Sequence, residues 1–232
     1  MRVIRYTDAD FAAQVAQVTA ASSLFDPAIE QRTRAILDDV AARGDEAVLE
    51  LTERFDGAKL SAAQLAVTKE ELLTASLKAD QSLRAAVAEA ETNIANFARK
   101  SRRKDWQTKN SHGATVGEKF DAFQRVGVYI PGGTAPLVST ALMTITLAKV
   151  AGCQDIVVCT PCGKDGSINP AILFAARAAG ATEIYRIGGA QAVAALAYGT
   201  KTIKRVQKIF GPGNAYVCEA KRQVFGTVGV DS

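Results

Sequence analysis

From residue 127 onward the chain alternates short apolar runs with longer apolar-patterned stretches. The runs at 127–130, 155–160, 183–187 and 207–210 are β-branched and show no strict in–out alternation. That pattern predicts strands of a parallel sheet covered on both faces. The stretches at 136–151, 169–180, 190–199 and 214–225 predict helices, each long enough to cross from one parallel strand to the next. The result is four successive β-α units with right-handed crossovers, an α/β fold built on a parallel sheet.

The preceding residues read as mostly helical, which divides the chain into a helical region at 1–126 and an α/β unit at 127–232. Residues 2–6 predict a short strand or arm. Thr7 or Asp8 can cap a helix with Phe11, Val15 and Val18 on one side. Asp26-Pro27 is a stronger start signal, an acceptor followed by proline at the first helical position. That helix carries Ile29, Ile36, Leu37 and Val40 on one face and stops at Gly44. Asp45 is read as the cap of the next helix, with Val48, Leu49 and Leu51, running to Phe55-Asp56-Gly57. Thr68 and Glu71 have capping-box spacing. Leu83, Val87, Ile94 and Phe97 are the predicted buried positions of a later helix. Residues 99–119 break the pattern: Arg99, Lys100, Arg102, Arg103, Lys104 and Lys109 surround Trp106. Phosphate or RNA contact is one reading of this run. With a single interleaved aromatic, a solvated helix end and linker is the other.

Composition narrows the class. Apolar residues make up 48% and charged residues 22%, ordinary for a soluble globular protein. A net charge of +4 is too small to imply nucleic acid. Four cysteines and no signal-peptide pattern predict a reducing, cytoplasmic setting. The most apolar segment, 135–151, contains Ser139, Thr140, Thr144, Thr146 and Lys149 and falls short of the ~20 residues of a membrane span. It predicts a buried helix. The single histidine, His112, lies in the polar stretch and reads as incidental. No mechanism requiring two histidines, or a zinc site of several imidazoles, can be completed by this chain alone. Cys159 and Cys162 have redox-motif spacing but no second pair, and that spacing reads as chance.

The candidate chemistry sits in four small-residue loops: Pro131-Gly132-Gly133, Thr160-Pro161-Cys162-Gly163, Gly188-Gly189-Ala190-Gln191 and Gly211-Pro212-Gly213-Asn214. Each falls at the carboxyl end of a predicted strand, where open α/β sheets hold ligands. Glycine lets backbone approach a guest, and the helix that follows offers free N–H groups. A nucleotide or other anionic ligand fits such a cradle; plain turn chemistry is the alternative. The G-x-G-x-x-G fingerprint is absent, since Gly211 to Tyr216 carries only its first half, and there is no Walker A sequence. Tyr129 could stack on a base or ribose, or be a core tyrosine. Gln191 could read a ribose or amide, or cap its helix. Asn214 is placed as an ordinary N-cap. Glu219 and Lys221 read as solvated helix residues.

Longer motifs carry a resemblance. Gly127 to Gly133 (GVYIPGG), Ile187 to Ala192 (IGGAQA), Lys208 to Asn214 (KIFGPGN) and Glu219 to Gln223 (EAKRQ), with Ala42 to Asp45 and Glu53 to Gly57 upstream, resemble the histidinol dehydrogenase family across essentially the whole chain. The resemblance implies oxidation of L-histidinol through the aldehyde to L-histidine with two NAD and a bound zinc. It implies a homodimer, and Rossmann-like domains that lack the usual fingerprint. Tyr129, Gln191 and Asn214 match the family's NAD-contacting positions. Family members are nearly twice this length, and their zinc ligands and catalytic glutamate–histidine pair match positions beyond Ser232. The resemblance therefore assigns no catalytic or metal-binding residue here, makes 1–126 part of an incomplete first domain, and implies exposed apolar surface and no turnover by this chain alone. A short paralogue, binding nucleotide or a partner without catalysis, is the other functional reading.

Overall fold

The computed structural model describes residues 3–19, 26–132 and 136–231. Gly133 of the first predicted loop, and residue 2 of the predicted arm, lie outside them. The helical region holds α1 (Phe11–Thr19), α2 (Pro27–Arg43), α3 (Asp45–Asp56), α4 (Ala62–Leu65), α5 (Lys69–Lys78) and α6 (Gln81–Ser101). A hairpin, β1 (Trp106–Lys109) and β2 (Thr115–Glu118), follows. Then come β3 (Arg125–Tyr129), α7 (Val138–Ala151), β4 (Asp155–Cys159), α8 (Pro170–Ala179), β5 (Glu183–Tyr185), α9 (Gly189–Tyr198), β6 (Lys208–Phe210), α10 (Ala215–Val224) and β7 (Gly229–Val230).

The four predicted β-α units are present, and all the pairings within the sheet are parallel. Strand order is β5-β4-β3-β6-β7. Chain progression runs one way from β3 through β4 and β5, and the other way through β6 and β7. The switch point lies between β3 and β6, where such sheets bind ligands. β7 escaped the sequence reading because two residues carry no periodicity.

Two cores sandwich the sheet, which explains the non-alternating strands. Tyr129, Val157, Cys159, Tyr185 and Ile187 face one core; Val126, Val128, Ile130, Ile156, Val158 and Ile184 face the other. The early helices complete both. Leu37, Val40, Val48 and Leu51 of α2 and α3 pack with α9 and α10 on the first side. Ala75 of α5 and Val87 of α6 pack with α7 and α8 on the second. Beyond β5, an antiparallel bridge from Ala66 to Tyr185 covers the sheet edge.

The local start signals hold. Asp26 accepts from the Ala28 N–H at 2.8 Å, and Thr68 with Glu71 forms the reciprocal capping box. Other expectations change. Gly44, not Asp45, is the N-cap of α3; the Asp45 carboxylate instead accepts from the Thr202 hydroxyl at 2.7 Å. Residues 3–5 form no strand, and α1 buries none of its side chains. Phe97 is 75% exposed, because the stripe α6 turns inward runs through Val87, Ala95 and Ala98. The segment 106–118 is a hairpin rather than a linker, with every strand position exposed and Trp106 Nε1 donating to Glu118 at 2.7 Å.

At the amino-terminal ends of β3 and β5, Arg125 is buried and meets Glu183 through two bonds of 2.7 and 2.8 Å. The Tyr185 hydroxyl donates to the same carboxylate at 2.8 Å. Arg125 holds the Glu183 carboxyl below its ordinary range, against the opposing effect of burial. A depressed carboxyl stabilises the fold above the unfolded-state range and loses that contribution as pH falls through the folded value. Glu183→Gln is therefore expected to cost about 1–2 kcal/mol at pH 7, with solvent screening already discounted. Urea midpoints of variant and wild type should converge as the medium is acidified below the glutamate range. A gap that does not narrow at all as pH falls below the glutamate range would sink this account.

Candidate functional site

A cleft of about 1660 Å³ opens beyond the carboxyl ends of the strands. Its sheet-side wall is made by the loops after β3, β4, β5 and β6; α2 and α3 supply Arg32, Ile36, Asp39, Leu51, Arg54 and Asp56 opposite. Pro161 is wedged between two of the loops. A Cβ on Gly132 would lie 2.4 Å from its Cγ, and one on Gly188 would lie 2.6 Å from its Cβ. Small residues are thus needed for the loops to touch, apart from any ligand.

Tyr129, Gln191 and Asn214 all line this cleft. Tyr129 is 4% exposed, and its hydroxyl accepts from the Gly189 N–H at 3.0 Å. Burial pushes the phenol pKa up, the Gly189 N–H opposes this, and the Asp56 charge adds to it. The hydroxyl therefore keeps its proton at neutral pH and can donate it. Gln191 is 1% exposed, and neither its Oε1 nor its Nε2 has a protein partner. Asn214 caps α10, its Oδ1 accepting from the Val217 N–H at 3.1 Å.

Two cleft groups went unnoticed in the sequence. The Thr160 hydroxyl is 1% exposed and without a protein partner, and Oδ2 of Asp56 is likewise buried and unpartnered. Exposed Arg32, 3.3 Å from the Tyr216 hydroxyl, and Arg54, stacked over Phe55 at 5.3 Å, add positive charge. The wall is thus rich in buried donors and acceptors with no mate inside the protein, the arrangement a polar guest satisfies.

Lys221 and Glu219 are corrections. Lys221 is 2% exposed, its Nζ donating to the Gly211 carbonyl at 3.0 Å and to Asp231 at 2.5 Å. Asp231 also accepts from the Gly211 N–H at 2.8 Å, so the Gly211 peptide is clasped on both sides. Glu219 is 6% exposed and paired with Arg222 at 2.7 Å. A signal was present: Val217, Ala220, Lys221 and Val224 fall on one helical stripe, so the lysine stem lies along the buried face.

The remaining candidates stay where the sequence put them. His112 is exposed in the hairpin turn. Cys159 and Cys162 are free thiols; burial pushes Cys159 up to about 12 and raises Cys162, so neither is a ready nucleophile. Among the described residues, no group of three or more His, Cys, Asp or Glu is placed to hold a metal ion. No helix among them is long and apolar enough to cross a membrane.

Residues 20–232 match the family model for histidinol dehydrogenase. A protein of that name from Symbiobacterium thermophilum is 48% identical over 207 residues, covering 89% of this chain and 47% of its own length. Another from Syntrophotalea carbinolica is 43% identical over 231 residues, covering 100% of this chain and 53% of its own. The crystal structure of histidinol dehydrogenase from Elizabethkingia anophelis superposes with a TM-score of 0.84 at 35% identity, over 88% of this chain and 47% of that one. The chain spans about half the length of the curated relatives it matches.

Proposed function

The chain belongs to the histidinol dehydrogenase family, and on that footing we propose that its cleft is the nucleotide wall of a zinc- and NAD-dependent oxidation of L-histidinol to L-histidine. The observation that carries this reading is the Gln191 amide, 1% exposed with both polar atoms unpartnered in the protein, lining the same cleft as the equally unpartnered Thr160 hydroxyl beyond the carboxyl ends of a parallel sheet. A hydroxyl-rich, amide-bearing ligand both donates to and accepts from such atoms, whereas a simple anion can only accept and leaves the Gln191 carbonyl oxygen without a donor.

Each residue has a distinct part. The Tyr129 hydroxyl, fixed by the Gly189 N–H, offers its proton to an acceptor on the nucleotide, and its ring offers a stacking face. Gln191 both donates and accepts. Asn214 holds the start of α10, shaping the loop after β6. Bound NAD would supply the hydride acceptor. The zinc of this reading is expected to take its ligands from parts of the enzyme other than those that build this cleft. A homodimer in the cytoplasm is the setting we propose, with L-histidinol as the small-molecule substrate and neither nucleic acid nor membrane as a partner.

Calorimetry on the purified 232-residue chain tests this. Heat on NAD addition is expected, with hydrogen-exchange protection around Tyr129 and Gln191, and no NADH is expected when histidinol is added. An absence of both heat and protection would remove the cofactor reading. NADH production by the chain alone would show that it carries more than the nucleotide wall.

A further inference from the structure

Asp56 is badly placed for a residue that serves stability alone. It is the last residue of α3, where the carbonyl end of the helix disfavours negative charge. Burial pushes its pKa up, and its Oδ2 has no protein partner. One contact compensates: the Gly188 N–H, at the start of α9, lies against the carboxyl and draws the pKa back. A group held in this way, in a cleft, is a candidate for ligand contact.

Its position also constrains the ligand. In most nucleotide-binding α/β sheets, phosphate occupies the helix N-terminus behind a glycine turn. Here the Gly188-Gly189 turn already faces a carboxylate. A phosphate at that spot would meet like charge, whereas a hydroxyl can donate to the free oxygen. Thr160 Oγ1 and both amide atoms of Gln191 present further unpartnered groups in the same cleft. This part of the wall is built for a sugar, and the absent fingerprint glycine is consistent with phosphates bound elsewhere. Where an acidic side chain reads ribose in such sheets, it takes the adenosine 2′-hydroxyl and thereby disfavours a 2′-phosphate.

We propose that Asp56 determines cofactor specificity in this cleft: its free carboxylate oxygen accepts a hydrogen bond from the adenosine ribose 2′-hydroxyl of NAD and excludes the 2′-phosphate of NADP. This rests on the reading of the cleft as an NAD site.

Calorimetric titration of wild type and Asp56→Asn with NAD and NADP reads the assignment directly. Asparagine keeps the shape and an acceptor for the Gly188 N–H while removing the charge. Wild type is expected to favour NAD by at least about tenfold, and the variant to lose about tenfold of that preference. Since a raised carboxyl pKa means that the charged form costs stability at neutral pH, the variant should melt no lower than wild type. Adenosine 5′-monophosphate and adenosine 2′,5′-bisphosphate, titrated into wild type, test the same contact without a substitution; the monophosphate should bind about tenfold more tightly. Equal binding of these two ligands, or an unchanged NAD:NADP ratio in a variant that still binds NAD, overturns the role of Asp56 and leaves the NAD reading standing. Wild type that binds neither dinucleotide overturns both.

Discussion

Gly211→Ala is expected to cost about 3–5 kcal/mol, a large share of the stability of a domain this size. A Cβ at this position would lie 2.1 Å from the Tyr129 carbonyl oxygen, with the Tyr129 carbonyl carbon and nitrogen at 3.0 and 3.2 Å. All three are backbone atoms of β3, which is paired to β6 at Val128 and Phe210 and cannot rotate aside. The φ of Gly211 is +117°, a conformation that strains any L side chain. Nor can the loop retreat, because Asp231 holds its N–H and Lys221 its carbonyl. Gly127→Ala is the matched control. Its Cβ would meet only side-chain atoms, Leu196 Cδ1 at 2.9 Å first, and these can shift. A loss of about 1–3 kcal/mol is expected there. Urea unfolding of both variants decides the matter. If Gly211→Ala proved no more costly than Gly127→Ala, the switch-point clasp would not be the constraint described.

The contrast between these two glycines marks what the sequence made legible. The β-α alternation could be read because strands buried on both faces leave continuous apolar runs, and because turns into helices demand small residues. The Asp26 and Thr68 caps could be read because their partners lie within three residues. Features that depend on distant partners could not. Asp45 looks like a cap until Thr202 is beside it, and Lys221 looks solvated until Gly211 and Asp231 close around it. The hairpin at 106–118 buries nothing and so shows no strong alternation. The site divides in the same way. Tyr129, Gln191 and Asn214 stand at strand ends or helix starts, positions a linear pattern reveals. Asp56 comes from a helix outside the repeat, and Thr160 differs from any strand-end threonine only in being buried without a partner.

That distinction gives the strongest test of the site. Gln191→Met is expected to raise the stability of the ligand-free chain by about 1–2 kcal/mol and to weaken NAD binding about 30-fold or more. Both effects come from one fact. The Gln191 amide is 1% exposed and neither polar atom has a protein partner, so the free protein gains no intramolecular hydrogen bond in return for burying it. Methionine is close in size and flexible enough to fill the same space with no polar atom to satisfy. A bound nucleotide that supplies mates for the amide reverses the balance, since the variant offers it none. Paired urea unfolding and NAD calorimetry should therefore move in opposite directions. A variant that lost more than about 1 kcal/mol of stability while binding NAD normally would make the amide structural. Opposed signs are what a residue kept for its ligand predicts, because stability gained by removing an unsatisfied group is gained only while the cleft is empty.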